Sequence, residues 1–220
     1  MGEYSPTPPS ERGDPVGGTP AQERSLRAQG KKTVNRLLEA GLDVFGTRGY
    51  HATRVDDIVK AAKTSHGTFY LYFSNKEDLL ASLITHCAEE MEALFETLGE
   101  VTPDEAGRAE LREWLGRFAS LYEHYGPVIR AWAEVAETVN PAFAERGVEI
   151  LGNFTVNLAK RIEKASTNGS LDPNLAAVSL VAMLERIFYF VFSRQVDFDL
   201  DALLDTLASI AHVGVFAGNR

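Results

Sequence analysis

The chain has one cysteine, Cys87, in 220 residues. No disulfide can close within it, and such usage fits a reducing compartment. Long apolar runs are missing too: the densest is Ile187 to Phe192, far short of the roughly 20 residues that span a bilayer. The N-terminus has no charged-then-apolar export pattern. These absences point to the cytoplasm and away from a membrane. Alternating apolar and polar runs of useful length are lacking, which argues against sheet structure. None of His51, His66, His86, His124 and His212 stands four residues from another, so no histidine pair has helical metal-ligand spacing. His86 and Cys87 are adjacent, and on a helix their side chains diverge by about 100°, so spacing does not make a thiolate pair. Cys87 falls on an apolar stripe and reads as an inert core thiol. The expectation is a protein with no catalytic site, no metal and no cofactor.

An overall excess of positive charge is also missing, since the net charge is −9. Phosphate backbones are bound by Lys and Arg, so the total argues against a nucleic-acid partner. The distribution argues the other way. Residues 22 to 76 carry ten basic groups against five acidic ones, and residues 77 to 220 carry 11 against 23. A small basic head is followed by an acidic body, an asymmetry expected of a protein with one face toward phosphate.

What is present is helical in spacing. Residues 1 to 21, MGEYSPTPPSERGDPVGGTPA, hold five Pro and four Gly with few apolar groups, and read as a disordered tail. From about Arg24, the positions Val34, Leu37, Leu38, Gly41, Leu42 and Phe45 form one stripe ending at Gly49. Thr53, with Asp56 three residues on, predicts the cap of a second helix running to about Ala62. Ser65 predicts a fresh cap for a short helix in TSHGTFYLYF, with Phe69 and Phe73 on its packing face. Ser74-Asn75-Lys76-Glu77 opens a long fourth helix through Leu79, Leu80, Leu83, Ile84, Cys87, Met91, Leu94 and Phe95. Thr102-Pro103-Asp104-Glu105 starts the next, Gly126-Pro127 restarts the chain, Asn140-Pro141 opens a helix ending near Gly169, and Asp172-Pro173 and Asp199 open the last two. The fold class expected is all-α, with about nine helices.

Two short helices joined by a tight turn, the second bearing hydroxyls and polar aromatics near its N-terminus, make the geometry that puts a recognition helix into the major groove. An ordinary helical hairpin with exposed tyrosines has the same pattern. The segment GYHATRVDDIVKAAKTSHGTFYLYFSNKEDLL, Gly49 to Leu80, resembles the DNA-binding domain of the TetR family of transcriptional regulators. The matching pieces are the Thr before the second helix, Ala-Ala before the turn, Ser-x-Gly-Thr-Phe-Tyr, Tyr-x-Phe and Asn-Lys-Glu-x-Leu. One departure is Lys63, at a turn position where that family commonly has glycine; a positive φ there would be strained.

The resemblance implies a helix-turn-helix domain over 22–76 and a ligand-binding and dimerisation domain over 77–220. It implies that Thr53 and Arg54 touch the DNA backbone, that Thr64, Ser65, His66, Gly67 and Thr68 face the groove with Tyr70 and Tyr72 beside them, and that Lys76 clamps a phosphate, with Lys63 a further cation at that face. Hydroxyl contacts discriminate bases less well than a bidentate Arg does, so sequence preference is not legible. In the body, Met183 to Arg186 and the closing Leu-Leu-Asp-Thr-Leu segment resemble the EthR-type branch of that family. That likeness implies a ligand tunnel lined by Trp114, Phe118, Leu121, Tyr125, Phe154, Val181, Leu184 and Phe188. Val181 and Leu184 stand where the branch has polar asparagines, implying a less polar ligand. The last two helices are apolar on more than one face, as expected if one face closes a pocket and another makes a dimer seam. The function expected is a homodimeric repressor that binds a palindromic double-stranded operator and is released by a small apolar or aromatic effector. An activator or ungated DNA-binding protein of the same fold is the alternative, and a helical enzyme or adaptor a more distant one.

Overall fold

The chain folds as helices, in a computed structural model that describes residues 21–135, 141–165, 171–194 and 198–217. The tail expected over residues 1 to 21 lies outside the described residues except for Ala21. Asn140 and the helix end expected near Gly169 lie outside as well. Among the described residues there are eight α-helices: α1 Ala21–Arg48, α2 Val55–Ala61, α3 His66–Tyr72, α4 Lys76–Glu96, α5 Glu105–Val135, α6 Pro141–Ala165, α7 Pro173–Arg194 and α8 Leu200–Ala211. A π-helical turn, His212–Phe216, extends α8.

The chain divides within α1 into two units, Met1–Asn35 and Arg36–Arg220. In the first, the described residues are the opening turns of α1, where the Thr33 hydroxyl donates to the Gln29 carbonyl at 3.0 Å. The second holds everything discussed below.

α1 buries Leu37, Leu38, Leu42 and Phe45, the stripe its spacing predicts. Gly41 lies against Leu79 of α4; a Cβ there would stand 2.4 Å from Leu79 Cδ2, so a larger residue would make the Leu79 side chain move. Gly49, with φ of 74°, ends α1 in the left-handed region where glycine is free of Cβ strain.

Three helix starts are displaced by one or two residues from those expected. Thr53 does not cap α2: its hydroxyl donates to the Gly49 carbonyl at 2.7 Å, and Arg54 takes the cap position. Asp57, not Asp56, reaches back to the Arg54 N–H, at 3.1 Å. The cap of α4 is Asn75, accepting from the Asp78 N–H at 2.8 Å, while Asp78 accepts from the Ser74 N–H at 2.9 Å. α5 starts from Asp104, whose carboxylate accepts from Gly107 N–H and from the Thr102 hydroxyl, leaving Thr102 and Pro103 outside the helix. The carboxylate, free to accept from two donors, outcompetes the hydroxyl for the open N–H groups. Ser65, Asp172 and Asp199 cap α3, α7 and α8 as their sequence signals predict.

α5 runs through Gly126-Pro127 without restarting. A proline inside a helix removes one hydrogen bond and crowds the preceding turn. Here the flanking residues hold the helix in register: Tyr125, Val128 and Ala131 are buried, and the Pro127 ring packs beside Gly46 of α1, where a Cβ would stand 3.1 Å from it. The body core is built by α4, α5, α6, α7 and α8 around Phe95, Trp114, Phe118, Phe154, Phe188 and Leu207. Arg112 ties α5 to α8 through Asp205 at 2.6 Å and Asp201 at 2.8 Å.

The turn between α2 and α3 is a Schellman closure. The Thr64 N–H donates to the Val59 carbonyl at 2.9 Å and the Lys63 N–H to the Lys60 carbonyl at 3.2 Å, which requires Lys63 at φ of 49°. Lys63→Gly removes the Cβ strain of the left-handed conformation. It is expected to stabilise the fold by about 1 kcal/mol, read as a rise in Tm of about 2–4 °C; a fall in Tm would show that the lysine side chain itself contributes more than its strain.

Candidate nucleic-acid interface and apolar cavity

α3 is seven residues long, too short to persist by itself, and is held by one side. Phe69 is fully buried, Phe73 nearly so, and their ring centroids are 5.7 Å apart. That fixes which side chains face outward. Ser65, His66, Gly67, Tyr70 and Leu71 are exposed, and Thr64, Thr68 and Tyr72 are half-buried. Tyr70 is 57% exposed and Leu71 74%, an apolar side chain in the open. Leu71 is absent from the residues expected at this face, because in the sequence it reads only as part of an apolar stretch.

Several of the expected residues already have partners. The Ser65 hydroxyl accepts from the Thr68 N–H at 3.1 Å and lies 3.0 Å from the Thr68 hydroxyl. His66 Nε2 lies 2.5 Å from Asp56 Oδ1, joining the start of α3 to the first turn of α2. Arg54, Lys60 and Lys63 are exposed around the same helix pair.

Two residues are placed differently from the expectation. Thr53 is buried, with its hydroxyl directed at the Gly49 carbonyl, so it supports the turn from within instead of presenting a side chain to a backbone. Lys76 turns its ammonium onto the loop before α2. Nζ donates to the carbonyls of Tyr50 at 2.9 Å, Thr53 at 3.1 Å and His51 at 3.4 Å, and lies 4.4 Å from the Tyr50 ring centre. An ammonium has three hydrogens, and three carbonyls take them. In this arrangement Lys76 staples the start of α4 to the 50–53 loop. Tyr50 is buried and its hydroxyl donates to Glu77 Oε1 at 2.8 Å; burial and this carboxylate together raise its pKa. The first turn of α4 is thereby tied to the loop that precedes the helix pair.

Further along, α4 borders a cavity of about 500 Å³ within the body. Its wall includes Ile84, Cys87, Met91 and Phe95 of α4, Phe118, Tyr122 and Trp132 of α5, Phe154 and Thr155 of α6, and Val181, Leu184 and Glu185 of α7. Of the tunnel residues expected, Phe118, Phe154, Val181 and Leu184 line it. Trp114, Leu121, Tyr125 and Phe188 do not. Trp114 donates its indole N–H to the Leu94 carbonyl at 3.1 Å and packs in the core. Tyr125 gives its hydroxyl to Glu90 at 3.0 Å. Phe188 is fully buried behind Phe118, its ring centroid 5.3 Å away. Leu121 is not in the wall, where its neighbour Tyr122 is. Tyr122, Trp132, Thr155, Glu185 and the α4 residues are among the wall residues missed; the α4 spacing of Ile84, Cys87, Met91 and Phe95 was the signal for the last of these. Burial, then the charge of Glu90, pushes the Cys87 thiol up to about 12, which keeps it protonated and unreactive. Among the described residues no group of three or more His, Cys, Asp or Glu side chains could hold a metal.

α7 and α8 leave apolar side chains outside the core. Leu175 is 68% exposed and Val213 66%, with Val178, Phe190 and Ile210 also exposed. By length and composition alone, Pro173–Phe192 is apolar enough to cross a bilayer, although the longest uninterrupted apolar run in it is short.

An exposed short helix set by a tight turn, followed by a helical body enclosing an apolar cavity, defines the class of helix-turn-helix regulators. The comparisons agree. The family model for bacterial regulatory proteins of the tetR family matches residues 37–83. The chain is 25% identical to the HTH-type transcriptional regulator EthR of Mycobacterium tuberculosis strain H37Rv, over 91% of this chain and 95% of that protein. It is 38% identical to the uncharacterised HTH-type transcriptional regulator YdgC of Bacillus subtilis, an alignment spanning 33% of this chain and 37% of that protein. A solved TetR-like transcriptional regulator from Rhodococcus sp. RHA1 shares the fold at TM-score 0.61 and 24% identity, over 83% of this chain and 96% of that one. These likenesses support a TetR-type transcriptional regulator, with the tetR-family match confined to residues 37–83.

Proposed function

We propose that the protein is a homodimeric repressor that binds a palindromic operator and is released by a small apolar effector in the body cavity. The observation that carries this reading is the course of α4. Its first turn is stapled to the 50–53 loop by Lys76 and Glu77, and its later turns wall the cavity through Cys87, Met91 and Phe95. A ligand that favours a different placement of α4 must alter the helix pair tied to its start, by about 1–3 kcal/mol for typical coupling. On this reading residues 22–76 are the DNA-binding domain and 77–220 the effector and dimerisation domain. The groove face comprises Gly67, Thr68, Tyr70 and Tyr72, with Leu71 suited to a thymine methyl and Arg54 and Lys63 to phosphate. The exposed apolar residues of α7 and α8 supply a self-complementary seam between two subunits.

Gly67 supports the assignment of the groove face. It is exposed inside α3, its φ is not positive, and a Cβ there would meet nothing closer than Ser65 Oγ at 3.8 Å. Folding alone favours alanine at such a site by about 0.5–1 kcal/mol. Glycine is explained if another surface comes close. Gly67→Ala is therefore expected to raise Tm while weakening, by about tenfold or more, the gel shift of a duplex selected from a random pool by the wild-type protein. In a reporter carrying that duplex at its promoter, the wild type lowers expression and Gly67→Ala restores it. Equal DNA affinity of the two proteins sinks the close-approach assignment, and increased expression with the wild type makes the protein an activator.

A further inference from the structure

The Tyr122 hydroxyl is buried at the cavity wall and has no hydrogen-bond partner among the described residues. Its ring packs against Phe118, Phe188 and Phe192, with centroids 6.0, 6.1 and 6.3 Å away. Buried hydroxyls are paired in native interiors, and a phenylalanine fills the same space without an oxygen to satisfy. Folding gives no reason for that oxygen. Burial, and then the nearby Glu185 carboxylate, raises its pKa, so it is a neutral phenol with a proton to donate.

The charge of the wall is equally one-sided. Glu185 is its single charged residue, and no Lys, Arg or His lines the cavity among the described residues. Arg186 approaches Glu185 at 3.9 Å and its charge partly offsets that of Glu185 at Tyr122, but its side chain is 73% exposed and it is not a lining residue. An anion entering this space would lose its water, meet no cation and approach a carboxylate. The rest is aliphatic and aromatic surface apart from Cys87 and Thr155, whose hydroxyl donates to the Leu151 carbonyl at 2.7 Å.

Resting on the reading of this cavity as the effector site, we propose that the effector is an uncharged, mainly apolar molecule with one oxygen that accepts the Tyr122 hydroxyl proton. Free carboxylates of the same length are rejected at Glu185. The class is that of medium-chain ketones, esters or ethers, not fatty acids.

The test compares decan-2-one with decanoate, which share ten carbons and differ in charge, followed by tryptophan fluorescence, since Trp132 lies in the cavity wall. Decan-2-one is expected to bind the wild type, and Tyr122→Phe to weaken it by about tenfold. The same variant without ligand is expected to melt about 2–4 °C higher, because its orphaned hydroxyl is gone. Opposite signs in the two measurements separate a ligand-binding oxygen from a structural one. Glu185→Gln is expected to strengthen decanoate binding by about tenfold and to leave decan-2-one unchanged. The proposal is overturned if Tyr122→Phe binds decan-2-one as well as the wild type, or if the wild type binds decanoate equally tightly. Binding of neither probe overturns both the proposal and the cavity reading beneath it. Binding of decan-2-one as described, without release of the selected duplex in a gel shift, upholds the ligand assignment and sinks only the proposed gating.

Discussion

Phe69→Ala is expected to destabilise the helix pair by about 3–5 kcal/mol and to abolish DNA binding while the body stays folded. Phe69 is fully buried, stacks near Phe73 and lies edge-on to Tyr70 at 5.4 Å between centroids. α3 has only seven residues, and no other residue of it is buried. Removing the ring leaves a helix with almost no packing, and an isolated helix of two turns is marginal in water. The loss therefore falls on one locally cooperative segment instead of the whole chain. Both tryptophans, Trp114 and Trp132, belong to α5 in the body, so their fluorescence should report an unfolding transition close to that of the wild type. The gel shift of the selected duplex should vanish under the same conditions. Retained DNA binding, or a tryptophan transition that collapses with the variant, would show that α3 is not an independent weak point.

Gly107→Ala carries the other large effect, in the opposite part of the chain. A Cβ at Gly107 would stand 2.0 Å from the Thr102 carbonyl oxygen and 2.7 Å from its nitrogen. The obstructing atoms are backbone, so no rotamer change relieves the overlap. Thr102 is also held from elsewhere: its carbonyl oxygen lies 2.8 Å from His212 Nε2 in the π-helical turn, and its hydroxyl donates to Asp104, the cap of α5. Accommodating the methyl means moving the 102–104 segment off both α5 and the end of α8. The expected loss is about 3 kcal/mol, at the upper end of overpacking effects. Gly152→Ala is the control, since a Cβ there meets nothing within 4 Å. That change is expected to leave stability equal or higher by about 0.5–1 kcal/mol. Urea denaturation of the pair decides it: equal midpoints for the two variants would refute the clash.

Legibility in the sequence followed the range of the interaction responsible. Ser65, Asp172 and Asp199 cap where they are read to cap, because a side chain bonding an N–H two or three residues on needs nothing from the rest of the fold. The starts of α2, α4 and α5 slipped because more than one nearby residue could serve, and competing bonds within two to four residues decided between them. Thr53 was drawn to Gly49, and Asp57 also meets Arg48 at 3.3 Å. Gly126-Pro127 reads as a break in any local account, yet burial of Tyr125, Val128 and Ala131 on either side carries α5 across it.

The same division holds for function. The basic head, the short Phe69 and Phe73 helix, the strained Lys63 and the resemblance to a DNA-binding family were all present in the order of residues, since each depends on contacts within about 30 positions. Which side chains face outward was decided by packing. Lys76 has the position of a phosphate contact and the geometry of a staple, because three carbonyls of the 50–53 loop lie within its reach only once α4 docks there. The cavity was half legible: aromatic density was visible, but a helix turns 100° per residue, and the orientation that admits Tyr122 and excludes Leu121 is set by helices brought from 30 to 100 residues away. Sequence alone determined most of the helices and the family likeness; tertiary structure decided which polar group each buried surface keeps, because that depends on partners that no local spacing specifies.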